Sequence, residues 1–313
     1  MKLAFVTGGH GFIGRHLVYS LAQQGIVVCG IGNGDWTELE TSEWGVNYWL
    51  NGEVSKRNLD IVLEDMGKPD VVFHLAGGSA VGPSLVAPAE DFQRNVLSAA
   101  ELLEWARLAA PDVRLVMASS AAVYGASHTQ AISECDPLSP YSPYGTHKRI
   151  AEELFESYGK NFGLKVAMVR LFSVYGAELK KQLLWDLCRR LAKDASCLLL
   201  SGSGGEARDW FHVSDAVKLL QLAASYACSD GFVVNGGTGI STSVREVAEQ
   251  LCVAWGRDTQ IEFSGKSRTG DPQFLVANVA LPTSLGFVPK VSWQLGVTDY
   301  VAWLKRVNGL VGI

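Results

Sequence analysis

A tyrosine and a lysine, Tyr144 and Lys148, stand four positions apart in the stretch YSPYGTHKRIAEE (141–153). On a helix, positions i and i+4 share a face, so the phenol and the ammonium would lie side by side. A phenol with a pKa of about 10 is a poor base at neutral pH, but a nearby cation favours the phenolate. Such a pair can pass a proton to or from a hydroxyl. Ser142 is a candidate N-cap and Pro143 suits the first helical position, so the local sequence itself starts the helix that sets the pair. Spacing alone equally describes two residues that merely pack and solvate a helix face.

A second group able to do chemistry is GGHGFIG at 8–14. Gly9, Gly11 and Gly14 fit G-x-G-x-x-G, and Gly8, Gly11 and Gly14 fit G-x-x-G-x-x-G. Missing side chains let the backbone turn tightly and approach a pyrophosphate, which exposed amides and the positive end of the next helix stabilise. The context is the required one: the apolar run LAFVT (3–7) precedes the glycines, and Phe12, Ile13, Leu17, Val18 and Leu21 follow at helical spacing. An acid that grips the adenosine ribose is expected after the second strand, IVVCGIG (26–32). That slot holds Gly32 and Asn33, with Asp35 three residues beyond Gly32. Repulsion against a 2′-phosphate is thereby removed, yet no Lys or Arg follows to hold one, and only His10 and Arg15 are near. The cofactor reads as NAD or NADP, with the two not separated.

The elements that must position these groups alternate along the first half of the chain. After a loop come a helix near 55–66, the apolar run DVVFHLAGG (70–78), a long helix from about Asp91 to Ala109, the strand VRLVMASS (113–120), the helix from Pro143, and the strand KVAMVRLF (165–172). Apolar strands alternating with amphipathic helices imply a parallel sheet covered on both faces. The expected fold is α/β, a Rossmann-type doubly wound sheet over 1–174 with a return segment near 211–237. A smaller, mixed α/β substrate lobe occupies most of 175–313. The chain has 313 residues, 48% of them hydrophobic, and 27 Lys+Arg against 32 Asp+Glu give a net charge of −5. That is a folded protein with no basic footprint for nucleic acid. No run of about 18 apolar residues marks a membrane span and no signal-peptide core is present, so a cytoplasmic protein without a membrane partner is expected. The six cysteines form no C-x-x-C pair and the six histidines show no ligand spacing, so no metal is expected.

TGGHGFIG, SSAAVYG (119–125) and Tyr144-x-x-x-Lys148, in that order, resemble the extended short-chain dehydrogenase/reductases, specifically the NAD(P)-dependent nucleotide-sugar epimerase/dehydratase group. HLAGGSAVGPSLVAPAEDFQRNV (74–96) is similar to the matching stretch of UDP-galactose 4-epimerases. RDWFHVSDAV (208–217) and NGGTG (235–239) resemble two further family signatures. The resemblance implies Ser120, Tyr144 and Lys148 as catalytic residues, with Ser120 bonding the reacting sugar oxygen and Lys148 touching the nicotinamide ribose. It implies cofactor contacts from Gly8, Gly11, Phe12, Ile13, Gly14, Asn33, Glu53, Val54, Leu75, Ala76, Gly77 and Asn95. It also implies substrate contacts from Ser79, Ser120, Ser173, Trp185, Arg208 and Arg268, the two arginines on the diphosphate. By their residues alone, Ser119 or Ser120 could instead cap a strand end, Trp185 could be core, and either arginine could be a solvated surface residue.

Two departures narrow the chemistry. Dehydratases of the group carry acids just after the catalytic Ser or Thr, because elimination of water needs a proton for the leaving hydroxyl. Here Ala121 and Ala122 occupy those positions, which disfavours dehydration. The second is Ser173, where the family commonly has Asn. The expected substrate is a nucleotide-diphosphate sugar, and the expected activity is C4 epimerisation through a transient keto-sugar. The alternative is an NAD(P)H-dependent ketoreductase, and a non-catalytic NAD(P) sensor stands third. The family implies a homodimer. The apolar rows Phe92, Val96, Leu103 and Ile150, Leu154, Phe155 could meet a partner or face this chain's own sheet.

Overall fold

The first strand, β1 (Leu3–Thr7), stops at Gly8, whose φ of +69° is a left-handed value that glycine adopts without strain. Helix α1 (Phe12–Ala22) follows, then β2 (Val27–Gly32), α2 (Glu38–Trp44), β3 (Tyr48–Asn51), α3 (Lys56–Met66) and β4 (Val71–His74). Two short helices, α4 (Val81–Val86) and α5 (Pro88–Phe92), lead through a π turn at Gln93–Leu97 into α6 (Ser98–Ala109). The series closes with β5 (Arg114–Ser120), α7 (Pro143–Phe162) and β6 (Lys165–Leu171). These come from a computed structural model that describes residues 1–193, 196–266 and 271–307.

The chain divides into two units, the first formed by Met1–Gly125, Glu134–Leu171 and Val217–Asn235. Its seven-stranded sheet runs in the order Phe232–Gly236, β6, β5, β4, β1, β2, β3. The pairs from β6 through to β3 are parallel. Fully apolar strands such as β4 are buried along their whole length, as strands covered on both faces must be. Phe5, Ile31, Val72, Leu102, Trp105, Leu115, Phe155 and Met168 belong to the main core. Thr7 lies opposite both Ile31 and His74, so the carboxyl ends of β1, β2 and β4 finish level. In an open parallel sheet, ligands bind beyond those ends.

Two details depart from the sequence reading. The stretch read as a loop after β2 contains α2 and the edge strand β3. Helix α2 buries no side chain and so shows no apolar period; a capping box between Thr37 and Glu40 starts it instead. The helix read as continuous over 91–109 is interrupted by the π turn. Of the two apolar rows, Val96, Leu103 and Phe155 are buried within this chain, while Phe92 is exposed.

The second unit comprises Ala126–Ser133, Phe172–Ala216 and Gly236–Ile313. It contains small sheets rather than one large one: Ser173–Tyr175 with Trp210–His212, Cys197–Leu200 with Gln260–Phe263, and Ala207–Arg208 between Thr242–Ser243 and Phe274–Leu275. The helices Gln182–Ala192, Val244–Trp255 and Trp293–Val307 supply its apolar core through Leu184, Leu187, Val247, Leu251, Tyr300 and Leu304. No helix among the described residues is long and apolar enough to cross a membrane.

Candidate active site

Helix α7 begins as its sequence dictates: the Ser142 hydroxyl accepts from Gly145 N at 3.2 Å and Pro143 takes the first turn. The Tyr144 N–H, which an isolated helix would leave without a partner, donates to Ser84 Oγ of α4 at 3.1 Å. Tyr144, Lys148 and Glu152 then project from one face at successive turns, and all three are buried.

The structure brings Ser120, Tyr144 and Lys148 together in the first unit. The Ser120 hydroxyl, at the end of β5, lies beside the Tyr144 phenol and favours its anion. Lys148 Nζ donates to Ala118 O at 3.0 Å on the same strand. Ser119 donates to Glu152 one turn further along α7. Successive residues of β5 are thus each tied to successive turns of α7.

The electrostatics depart from the simple expectation. Burial pushes the Tyr144 phenol up to about 12, against the Ser120 hydroxyl, and the Asp91 charge adds to the rise. Burial pushes Lys148 down to about 8, while Asp91 and then Glu152 hold it up. The lysine cation was expected to favour the phenolate; burial governs the phenol instead, and the influence that opposes the rise is Ser120. His74, fully buried and facing Lys148, is pushed down to about 3 by burial and so stays neutral.

The glycine turn offers what a pyrophosphate needs. Gly11 caps α1 without any side-chain hydrogen bond, and the first turn carries no acid, so its amides point outward unopposed. A Cβ on Gly14 would lie 2.2 Å from Gly8 O, and one on Gly8 would lie 2.7 Å from Ala76 N, so only glycine allows these segments to meet. Leu75 and Ala76 are fixed by Thr7, whose carbonyl and hydroxyl accept their N–H groups at 3.1 and 3.2 Å. Thr7 in turn bonds His74 Nδ1 at 2.9 Å. Gly77 has φ +155°, and a Cβ there would lie 2.5 Å from Asn95 Oδ1 and 3.2 Å from Lys148 Nζ. Asn95 Oδ1 is buried with no hydrogen-bond partner among the described residues. An open amide turn, a side-chain-free approach at Gly77 and an acceptor left without a donor fit a bound dinucleotide.

The remaining cofactor candidates are more scattered. Phe12 and Ile13 open α1, and Asn33 is exposed just past β2. Glu53 is exposed, with its carbonyl accepting from Asn58 at 2.9 Å, and the Val54 side chain belongs to the core. Asp35 is held by Asn51 Nδ2 at 2.7 Å. Sequence reading missed an aromatic cluster here: the Arg15 guanidinium lies 5.4 Å from the Trp36 ring and 5.2 Å from Trp44, and His10 meets Trp36 edge-on. Three tryptophans within 36–49 were the available signal.

Among the substrate candidates, Ser79 is exposed on the loop after β4. In the second unit, Ser173 donates its N–H to Asp209 O at 3.0 Å, and the half-buried Arg208 precedes Asp209. Trp185 is half-buried on its own helix, with Arg189 5.9 Å from the ring. Arg268 lies outside the described residues. Asp209 itself was not singled out. Its fully buried carboxylate accepts from Thr238 N and Oγ1, both at 2.7 Å, from Gly239 N at 2.8 Å and from Ala277 N at 3.2 Å. The RD and GTG motifs are therefore two halves of one staple.

Known proteins resemble this chain in sequence and in fold. A profile of the NAD dependent epimerase/dehydratase family matches residues 4–235. The UDP-glucose 4-epimerase of Azospirillum brasilense is 31% identical over 98% of this chain and 93% of its own length. The dTDP-glucose 4,6-dehydratase of an Actinoplanes species is 29% identical, covering 97% of this chain and 98% of its own. Among solved structures, MoeE5 in complex with UDP-glucuronic acid and NAD superposes with a TM-score of 0.85 at 32% identity, over 97% of this chain and 99% of that one. With the glycine turn, the Ser120, Tyr144 and Lys148 cluster and these likenesses together, the chain belongs to the NAD-dependent epimerase/dehydratase family and is an enzyme of that nucleotide-sugar group.

Proposed function

We propose that the chain is a nucleotide-sugar 4-epimerase that works with NAD. The observation that carries this is the Ser120–Tyr144 pair with Ala121 and Ala122, not acids, directly after the serine. Elimination of water would need an acid there. In the described residues the carboxylates nearest the pair, Asp91 and Glu152, are already engaged by His147 and Arg170.

Bound NAD supplies the hydride acceptor, a positive charge beside the phenol, and the hydride that is later returned. Gly8, Gly11 and Gly14 would receive its pyrophosphate, and Gly77 and Asn95 would line the same site. Ser120 bonds the sugar 4-hydroxyl and relays its proton to Tyr144. Lys148 supports the phenolate during that transfer and orients the ribose. In the return half of the reaction Tyr144 would give the proton back to the sugar oxygen through Ser120. Arg208, with Arg268, meets the diphosphate, while Ser79, Ser173 and Trp185 contribute to the sugar and base sites. The relatives' names favour a UDP-sugar. One observation favours a keto-sugar reductase instead: no acid stands at Asn33 to hold the adenosine ribose. Exposed Leu85, Val86, Phe92 and Leu97 on α4 to α6 offer the surface for a homodimer.

The purified protein is assayed for interconversion of UDP-glucose and UDP-galactose with no added cofactor, and its bound dinucleotide is identified. Retained NAD with turnover is expected. An empty site that consumes NADPH stoichiometrically with a keto-sugar would replace epimerase with reductase.

A further inference from the structure

We propose that Asp91, gripped by His147, is a positioning residue for the reaction proposed above: its carboxylate faces Lys148 across the Gly77–Gly78 turn and keeps that amine a cation beside Tyr144. The inference rests on the proposed proton relay but is tested apart from it.

The geometry comes from three elements. Asp91 lies on α5, is 6% exposed, and its Oδ2 bonds His147 Nδ1 of α7 at 2.6 Å. A Cβ on Gly78 would lie 2.1 Å from Asp91 Oδ1 and 2.9 Å from Asn95 Nδ2, while one on Gly77 would lie 3.2 Å from Lys148 Nζ. Carboxylate and ammonium thus press on adjacent glycines of one turn. The imidazole of Phe92's neighbour across the helix pair, His147, packs edge-on against the Phe92 ring at 5.4 Å, which fixes its plane.

Among the described residues, the titratable and charged groups around Lys148 are His74 from β4, Asp91 from α5, Tyr144 and Glu152 from α7, and Arg170 from β6 behind Glu152. Their charges are unequal in effect. Glu152 accepts from Arg170 Nε at 3.1 Å on each oxygen and from Nη2 at 2.8 Å, so a permanent cation offsets it. His74 is neutral. Asp91 is left as the principal carboxylate supporting the amine, and it heads the influences that hold Lys148 up against burial.

Asp91→Asn keeps the shape and an acceptor for His147 and removes the charge. The ionisation of Lys148 is followed by NMR on isotopically labelled lysine, with the Lys148 resonance assigned by its loss in Lys148→Arg. Removing an anion beside a cation lowers the cation's pKa, so the midpoint should fall from about 8, and by roughly one unit. The basic limb of the pH–rate profile should move the same way. An unchanged or raised midpoint overturns the proposal. Gly78→Ala, whose methyl would displace the carboxylate, is the second variant and should lower the midpoint too; if it and Asp91→Asn both leave it in place, Asp91 is a structural residue only. The midpoint is read without turnover, so a chain lacking epimerase activity fails the functional reading and leaves this test standing.

Discussion

Two buried polar clusters of this protein are built to opposite rules. Asp209 in the second unit accepts four hydrogen bonds from Thr238, Gly239 and Ala277, so its charge is answered inside the chain. Around Lys148 in the first unit, the amine makes one hydrogen bond to Ala118, and Asn95 Oδ1 makes none among the described residues. A buried polar group normally finds its partners in the fold. Where it does so completely, as at Asp209, the cluster secures a turn. Where it does not, as at Asn95, an acceptor is left open to a further partner.

The comparison can be broken by experiment. Tyr144→Phe removes a proton carrier from the incomplete cluster, and turnover should fall by about a hundredfold to ten-thousandfold with the thermal midpoint unchanged. A large loss of thermal stability with turnover preserved would place the cluster with Asp209 as a structural one. Asp209→Ala strands three backbone N–H groups and should destabilise by roughly 2–4 kcal/mol, measured by urea unfolding. Its folded fraction should keep the wild-type pH–rate profile. Thr238→Val removes a single hydroxyl donor and should cost about 1 kcal/mol; an effect as large as that of Asp209→Ala would mean the backbone donors contribute little.

How much the sequence revealed follows the same division. The glycine turn was legible because it is local: a strand, a turn and a helix supply the whole signal within about twenty residues. The Tyr144–Lys148 pair, ambiguous by spacing alone, was read from its place behind SSAAVYG. Helix α2 was illegible because it buries nothing and leaves no period. The Asp91–His147 pair spans 56 positions and the Asp209–Thr238 staple 29, and no local pattern announces either. Both motifs of the staple were noticed, but only the fold shows that one holds the other. The direction of the Tyr144 shift was missed for a related reason: spacing reports a neighbour's charge, not the depth at which both are buried.

Arg170 carries a consequence for how the chain can be made. The backbone passes between the two units at five places, and Arg170 stands one residue before one of them, Leu171 to Phe172. Its Nη1 bonds Glu134 O at 3.0 Å, where the chain re-enters, and Glu134 Oε1 accepts from Asn235 N at 2.8 Å, where it leaves for the last time. Arg170 and Glu134 together therefore tie three crossing points, and no single cut separates the two units whole. During synthesis, the second unit must wait for the final quarter of the polypeptide to emerge, because its last segment begins at Gly236.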